Sequence, residues 1–256
     1  MPDISPHAIV EKSAKLAKDV RVGPFSYIGP QVKIGAGCVI ENNVTITGKT
    51  RLGERNHVFP MAVIGTGADD GRGGCIIEKA NTIREHVTIY AGGDAPTRIG
   101  TNNLIMIACT VAGSARVGDQ GIFANCTHIG AGAVVEEYVR TSGFAVIQPG
   151  AAVGAYTFIA GHAIIEHHAP PFAIVQSFPY RVRGVNVENL RRCGFADEDI
   201  QALRGAFREL FNDQTDHARP AALESLPAHL ARNRYVARLV AFIREHAGPP
   251  GAAGNG

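Results

Sequence analysis

The stretch Val20-Arg21-Val22-Gly23-Pro24-Phe25-Ser26-Tyr27-Ile28-Gly29-Pro30-Gln31-Val32-Lys33-Ile34-Gly35-Ala36-Gly37-Cys38-Val39-Ile40 carries a branched aliphatic residue at every sixth position. Val22, Ile28, Ile34 and Ile40 set the phase, and two residues before each stands Val20, Ser26, Val32 or Cys38, all small or β-branched. Working outward, the phase runs back through Leu16 to Val10 and forward through Ile46, Leu52 and Val58 to Ile64. A second series links Ile99, Ile105, Val111, Val117, Phe123, Ile129 and Val135 to Ile147, Val153, Ile159 and Ile165, with Thr141 its one polar member. A period of six is neither the 3.6 of a helix nor the alternation of a lone strand, so the repeat itself decides the fold.

The aliphatics must point inward and stack on their equivalents in the next coil, while the small residue two places earlier fills the rest of a narrow core. Gly follows many of them, as in Val22-Gly23, Ile34-Gly35 and Val117-Gly118, where a larger side chain would crowd the corner. Three faces per coil make a triangular prism, so the expected fold is an all-β solenoid, a left-handed parallel β-helix of hexapeptide repeats. Two excursions interrupt it. The spacing from Ile64 to Ile77 is 13, across the Gly-rich run 65–74, and the spacing from Ile89 to Ile99 is 10, across Ala91-Gly92-Gly93-Asp94-Ala95-Pro96. Loops on a rigid solenoid are candidate site walls.

The period breaks after Ile165, at His167-His168-Ala169-Pro170-Pro171. Helical patterning follows over Glu188–Cys193 with Gly194 as its stop, and over Asp197–Phe211 with Ile200, Leu203, Phe207, Leu210 and Phe211 on one face. Further helical segments are expected over Leu223–Ala231 and Tyr235–His246. The expected organisation is a β-helix over 1–175, a C-terminal α-helical domain over 176–247, and a disordered Gly, Pro, Ala and Asn tail over 248–256.

A net charge of +2 argues against a nucleic-acid binder, and no run is long and apolar enough for a membrane span. Met1-Pro2-Asp3 lacks the basic and apolar regions of a signal peptide, and five cysteines without a CxxC spacing argue against a disulfide framework or a zinc site. A cytoplasmic chain with no metal and no cofactor is the expectation. From Phe178 to His246 there are eleven arginines and no lysine against nine acidic residues. Arg181, Arg183, Arg191 and Arg192 lie close in sequence, and such a patch suits an acidic partner.

The hexads, the Gly-rich excursion, and the runs Ile83-Arg84-Glu85-His86-Val87-Thr88-Ile89, Asn103-Leu104-Ile105-Met106-Ile107 and Phe123-Ala124-Asn125 occur in one order with Arg183-Gly184-Val185-Asn186-Val187-Glu188-Asn189-Leu190-Arg191-Arg192-Cys193-Gly194-Phe195. Together they resemble the UDP-N-acetylglucosamine O-acyltransferase family of lipid A biosynthesis, over nearly the whole chain up to about Phe211. The resemblance implies a homotrimer with sites between neighbouring prisms and transfer of an acyl chain from acyl carrier protein to a sugar hydroxyl. It implies substrate contacts at Asp70, Arg84, Tyr90, Gln148, Gln176, Asn186, Glu188 and Arg192.

Where the family reads Asn-Ala-His-Ile-Ala-His-Asp, this chain reads Ala108-Cys109-Thr110-Val111-Ala112-Gly113-Ser114. The resemblance thus places the general base at Gly113, its orienting partner at Ser114 and the first His at Thr110, while a further family His falls at Gly132 and a His-Gln pair at Gln148-Pro149. A positioned base is worth roughly 10²- to 10⁴-fold in rate, and Gly113 cannot supply one. His128 lies 18 residues after Thr110, so it should stack one coil away, roughly 5 Å along the axis, and is the candidate catalytic residue. Cys126 is a weaker candidate nucleophile, without an adjacent activating pair.

Three functions follow. The first is an acyltransferase moving an acyl group from an acyl carrier protein or CoA thioester to an amine-bearing or otherwise altered acceptor. The second is the family's own O-acyl transfer with a relocated base. The third is a non-catalytic trimer that binds acyl carrier protein or a nucleotide sugar.

Overall fold

The computed structural model describes residues 1–67, 73–177, 180–211, 218 and 220–248. Short parallel strands, most of two residues, wind through nine turns of a left-handed β-helix with three flat faces. The first face runs from Asp3–Ile4 and Arg21–Val22 up to Phe158–Ile159, the second from Ile9–Val10 to Ile164–Ile165, and the third from Lys15–Leu16 to Ala152–Val153. The steps from coil to coil are parallel pairs, such as Thr110 beside His128 and Val111 beside Ile129, with a bulge where Val63–Thr66 meets Thr88–Tyr90. The inward residues of the second face, Ile28, Ile46, Ile64, Ile89, Val111, Ile129, Ile147 and Ile165, are all buried. Burying one such side chain contributes about 1.5–3 kcal/mol, so the column of like residues is what holds each coil on the next. Thr141 keeps its place in this core because its hydroxyl accepts the Ala124 N–H at 3.0 Å and meets the Thr127 hydroxyl at 2.7 Å.

The glycine after the aliphatic is required by crowding. A Cβ on Gly23 would sit 2.8 Å from the Asn42 backbone nitrogen in the next coil. The left-handed backbone that turns the corner comes two residues later, at Phe25 with φ 60° and at Asn43 with φ 57°.

The coil extends beyond the break at Ile165. Ala173–Gln176 pairs in parallel with Phe158–Ile159, and Arg181–Val185 then pairs with it antiparallel, which ends the first face. Among the described residues five helices follow: α1 (Val187–Arg192), α2 (Asp197–Leu210), α3 (Pro220–Glu224), α4 (Ala228–Ala231) and α5 (Arg234–Glu245). The expected segment over Leu223–Ala231 is split between α3 and α4, because Pro227 stands as the N-cap of α4 and cannot continue α3. Gly194, with φ 80°, follows α1 as its stop. Residues 249–256 of the expected tail lie outside the described residues.

The helices fold back on the corner between the third and first faces. Asn186 and Asn189 donate side-chain N–H groups to the carbonyls of Tyr156 at 2.9 Å and Tyr138 at 3.3 Å. Arg238 of α5 reaches Glu136 at 3.0 Å and Glu137 at 2.7 Å. Burial is the largest single influence on the Glu137 carboxyl and works to raise it, but the Arg238 hydrogen bond, its own backbone N–H and the Arg238 charge together outweigh burial, and the net direction is down. The pair therefore contributes fully above the ordinary carboxylate range and is lost as pH falls through the lowered value. Arg238→Ala is expected to cost about 1–2 kcal/mol at pH 7, with the difference from the unchanged protein shrinking below about pH 4, as read by urea unfolding.

Candidate active site on the second face

Outward residues of the second face alternate with the buried column. Thr88, Thr110, His128 and Val146 stand in one register, strand against strand. His128 is half-buried, and no hydrogen bond or ion pair engages its ring among the described residues. Two residues further along each strand, a second row holds Tyr90, Ala112, Gly130 and Gln148. The floor between Tyr90 and Gln148 is therefore made of small residues, with Thr110 and His128 along one side.

The excursion over 91–96 closes one end of this floor. Gly92 and Gly74 bridge antiparallel, through N–H to carbonyl contacts of 2.9 and 3.2 Å, which ties the two excursions together. The Thr97 hydroxyl donates to the Tyr90 carbonyl at 2.6 Å and accepts the Ser114 N–H at 2.9 Å. The Ser114 hydroxyl donates to the Ala95 carbonyl at 3.0 Å. Ser114 is thus a loop staple. A Cβ built on Gly113 would lie 2.8 Å from the Ala91 carbonyl oxygen, whereas one on Gly132 would meet nothing within 4 Å. Of the two glycines at which the resemblance places a family histidine, the first is closed by backbone, and the second has room but a φ of 64°, where a side chain is strained.

Tyr90 is exposed at the mouth, and its ring lies against the backbone of Gly67. Arg84 is held by Glu85 at 2.8 Å and stacks over the Phe59 ring at 4.8 Å. The Glu85 hydrogen bond is the main reason that the Arg84 guanidinium is raised and the carboxyl lowered from their ordinary values. Gln148 follows the second-face strand Val146–Ile147, and Gln176 ends the strand that pairs with Arg181. Asp70 and Phe178 lie outside the described residues.

The remaining candidates sit at the start of the helices. Asn186 caps α1, accepting the Asn189 N–H at 3.4 Å, and is buried. Glu188 and Arg192 form an exposed pair at 2.9 Å, and Arg191 pairs with Asp197 at 3.4 Å. Burial pushes the Cys75 thiol up to about 12 and the Cys109 thiol to about 11, which leaves both as inert thiols. Cys126 turns a corner with φ 61°.

Sequence reading placed Gly74 and Gly92 in the two excursions taken as site walls but did not find Thr97, although a hydroxyl placed directly after Pro96 at the close of an excursion was a usable signal. Nor did it join Arg204 and Arg208 to Arg181 and Arg183. The four line one cleft, while Arg191 and Arg192 are spent on carboxylates of their own.

The model of the UDP-N-acetylglucosamine O-acyltransferase second domain matches residues 169–249, and the bacterial transferase hexapeptide model matches residues 13–48. The acyl-(acyl-carrier-protein) UDP-N-acetylglucosamine O-acyltransferase of Saccharophagus degradans is 34% identical over 252 residues, covering 95% of this chain and 97% of that protein. The structure of LpxA from Acinetobacter baumannii superposes with a TM-score of 0.88 at 29% identity, over 94% of this chain and 96% of that one. LpxA from Bacteroides fragilis 9343, a UDP-N-acetylglucosamine acyltransferase, does so with a TM-score of 0.88 at 31% identity, over the same shares. With solenoid, helical cap and full-length identity in agreement, this chain belongs to the UDP-N-acetylglucosamine O-acyltransferase family and is an acyltransferase.

Proposed function

We propose that this acyltransferase moves an acyl group from a thioester donor, on an acyl carrier protein or coenzyme A, to an amine-bearing acceptor. The observation that carries this reading is the packing at Gly113, where the Ala91 carbonyl occupies the space that a base would need. A sugar hydroxyl is a poor nucleophile near neutral pH and needs a positioned base. An amine, partly unprotonated there, needs less help. Its nitrogen attacks the thioester carbonyl, the C–N bond forms as the C–S bond breaks, and the proton lost from nitrogen leaves with the thiol. On this reading Tyr90, Gln148, Thr110 and His128 surround the acceptor, with Asn186, Glu188 and Arg192 toward a nucleotide.

The working unit in this proposal is a homotrimer with the second face at the boundary between copies. Exposed Phe25, Met61, Ile107 and Phe144 support it, because they are strung along the one corner that leads onto that face. His128 supports a second reading, O-acyl transfer with a relocated base, since it stands beside Thr110 with an unengaged ring. A cytoplasmic location fits both, and among the described residues no helix is long and apolar enough to cross a membrane.

The test of the closed position is Gly113→His. It is expected to leave O-acyl transfer to UDP-N-acetylglucosamine undetected by mass spectrometry and to lower the melting temperature, because the Ala91 backbone must move. O-acylation gained by this single substitution would overturn the reading.

A further inference from the structure

Along the outward side of the first face, Leu104, Ile122, Arg140 and Phe158 stand in one register. Two residues on from Leu104 and Ile122 come Met106 and Ala124, so two successive coils present an apolar strip. Thr82 and Arg84 bound it on one side, Arg140 and Ser142 on the other. From one polar boundary to the other is three strand spacings, roughly 14 Å. Arg140 is half-buried, its Nε is buried with no hydrogen-bond partner among the described residues, and it enters no ion pair among them. Glu136 and Glu137, the acidic residues closest to it in sequence, are taken by Arg238. Burial raises the Cys193 thiol while the Arg140 charge works against it, so the end of α1 stands beside the guanidinium.

A buried donor left unpaired costs stability, so such a group is explained by what it meets in the working protein. The trimer of the proposed function supplies that setting. Three prisms that meet along the corner bearing Phe25, Met61, Ile107 and Phe144 set the second face of each copy against the first face of the next. Threefold rotation keeps heights equal, and the chain climbs from Ile122 through His128 to Arg140. The strip from Leu104 to Arg140 on one copy therefore faces the row of Thr110 and His128 on the next.

We infer that Arg140 is a specificity-determining residue, which ends the apolar wall against which the acyl chain lies and so limits this enzyme to short chains. The inference rests on the trimeric acyl-transfer reading. Leu104, Met106 and Ile122 take methylene groups out of water, which favours a chain lying along them. A chain carried one coil further would cover the guanidinium and strip its water without offering a hydrogen bond in return, an unfavourable exchange. Beyond it Phe158 and Ala160 are apolar again, so the row of Arg140 is the break in an otherwise longer track. Leucine at this position would join the two halves.

The experiment is calorimetric titration of the full chain with straight-chain acyl-carrier-protein thioesters from butyryl to tetradecanoyl, with and without a 3-hydroxyl. It is repeated on Arg140→Leu and Arg140→Lys, with folding checked by circular dichroism and assembly by sedimentation. The unchanged protein should bind the hexanoyl form at least about tenfold more tightly than the tetradecanoyl form. Arg140→Leu should tighten the tetradecanoyl form at least about tenfold and leave the hexanoyl form within about twofold, while Arg140→Lys keeps the original order. Tighter binding of the tetradecanoyl form by the unchanged protein would overturn the inference. A monomer on sedimentation would overturn the trimer and the inference together, whereas a trimer whose length order is unchanged in Arg140→Leu would sink only the role of Arg140. Length selection in binding without transfer to any acceptor would leave the inference standing and sink the acyl-transfer reading.

Discussion

Replacing Asn81 with Leu is expected to lower the stability of the solenoid by about 3 kcal/mol. Asn81 is buried in a ladder with Asn56 and Asn103 at the corner between the third and first faces. Its amide donates to the Gly100 carbonyl at 2.9 Å, and its side-chain oxygen accepts the Asn103 N–H at 2.8 Å. Leu keeps the branched shape but is bulkier, so the substitution opens no cavity and adds some crowding. What it leaves is a buried carbonyl and a buried N–H without partners, each costing about 1–3 kcal/mol. The ladder links successive coils, so the loss reaches the neighbours as well. Urea unfolding followed by circular dichroism reads the effect, and a loss under about 1 kcal/mol would mean that the ladder is ornamental.

If O-acyl transfer runs through a relocated base, His128→Ala is expected to lower it at least about a hundredfold. The ring stands beside Thr110 on the outward row, next to the floor of Ala112 and Gly130. On that proposal the imidazole of this row receives the proton that the attacking oxygen sheds. His128→Gln keeps much of the size and hydrogen bonding but cannot accept that proton. The account therefore expects kcat to fall in both variants with KM little changed. Near-normal turnover in His128→Ala would remove this residue from the mechanism, and rescue by Gln would make it a positioning residue.

The prism was legible because its core admits few solutions. A narrow triangular section accepts one aliphatic per face, so Val22, Ile28, Ile34 and their successors had to repeat at six, and the structure buries them all. The strand Ala173–Gln176 was harder to place, since Pro170-Pro171 breaks the pattern while the backbone returns to the first face beyond it. The crowding at the glycine was read correctly, but the corner was expected at the glycine itself and is turned two residues later, at Phe25 and its equivalents, residue types that do not announce it.

The site was only partly legible. The register of His128 on Thr110 follows from three hexads per coil, and the pairing is there. The closure of Gly113 does not follow from any spacing. It depends on how far the excursion after Tyr90 bulges before Thr97 and Ser114 fasten it, which is a matter of loop shape and two hydroxyls. The arginine cleft was hidden for a similar reason. Arg181 and Arg183 read as neighbours of Arg191 and Arg192, but the turn into α1 sends those two toward Asp197 and Glu188, and α2 brings Arg204 and Arg208 across instead.

The most direct test of the central claim is mass-spectrometric detection of acyl transfer by the purified protein. Acyl-carrier-protein and coenzyme A thioesters serve as donors, with UDP-N-acetylglucosamine and its 3-amino analogue as acceptors. The account predicts an amide product with the amino sugar and none with the hydroxyl sugar. Efficient ester formation on UDP-N-acetylglucosamine, with the amine no better, would contradict it.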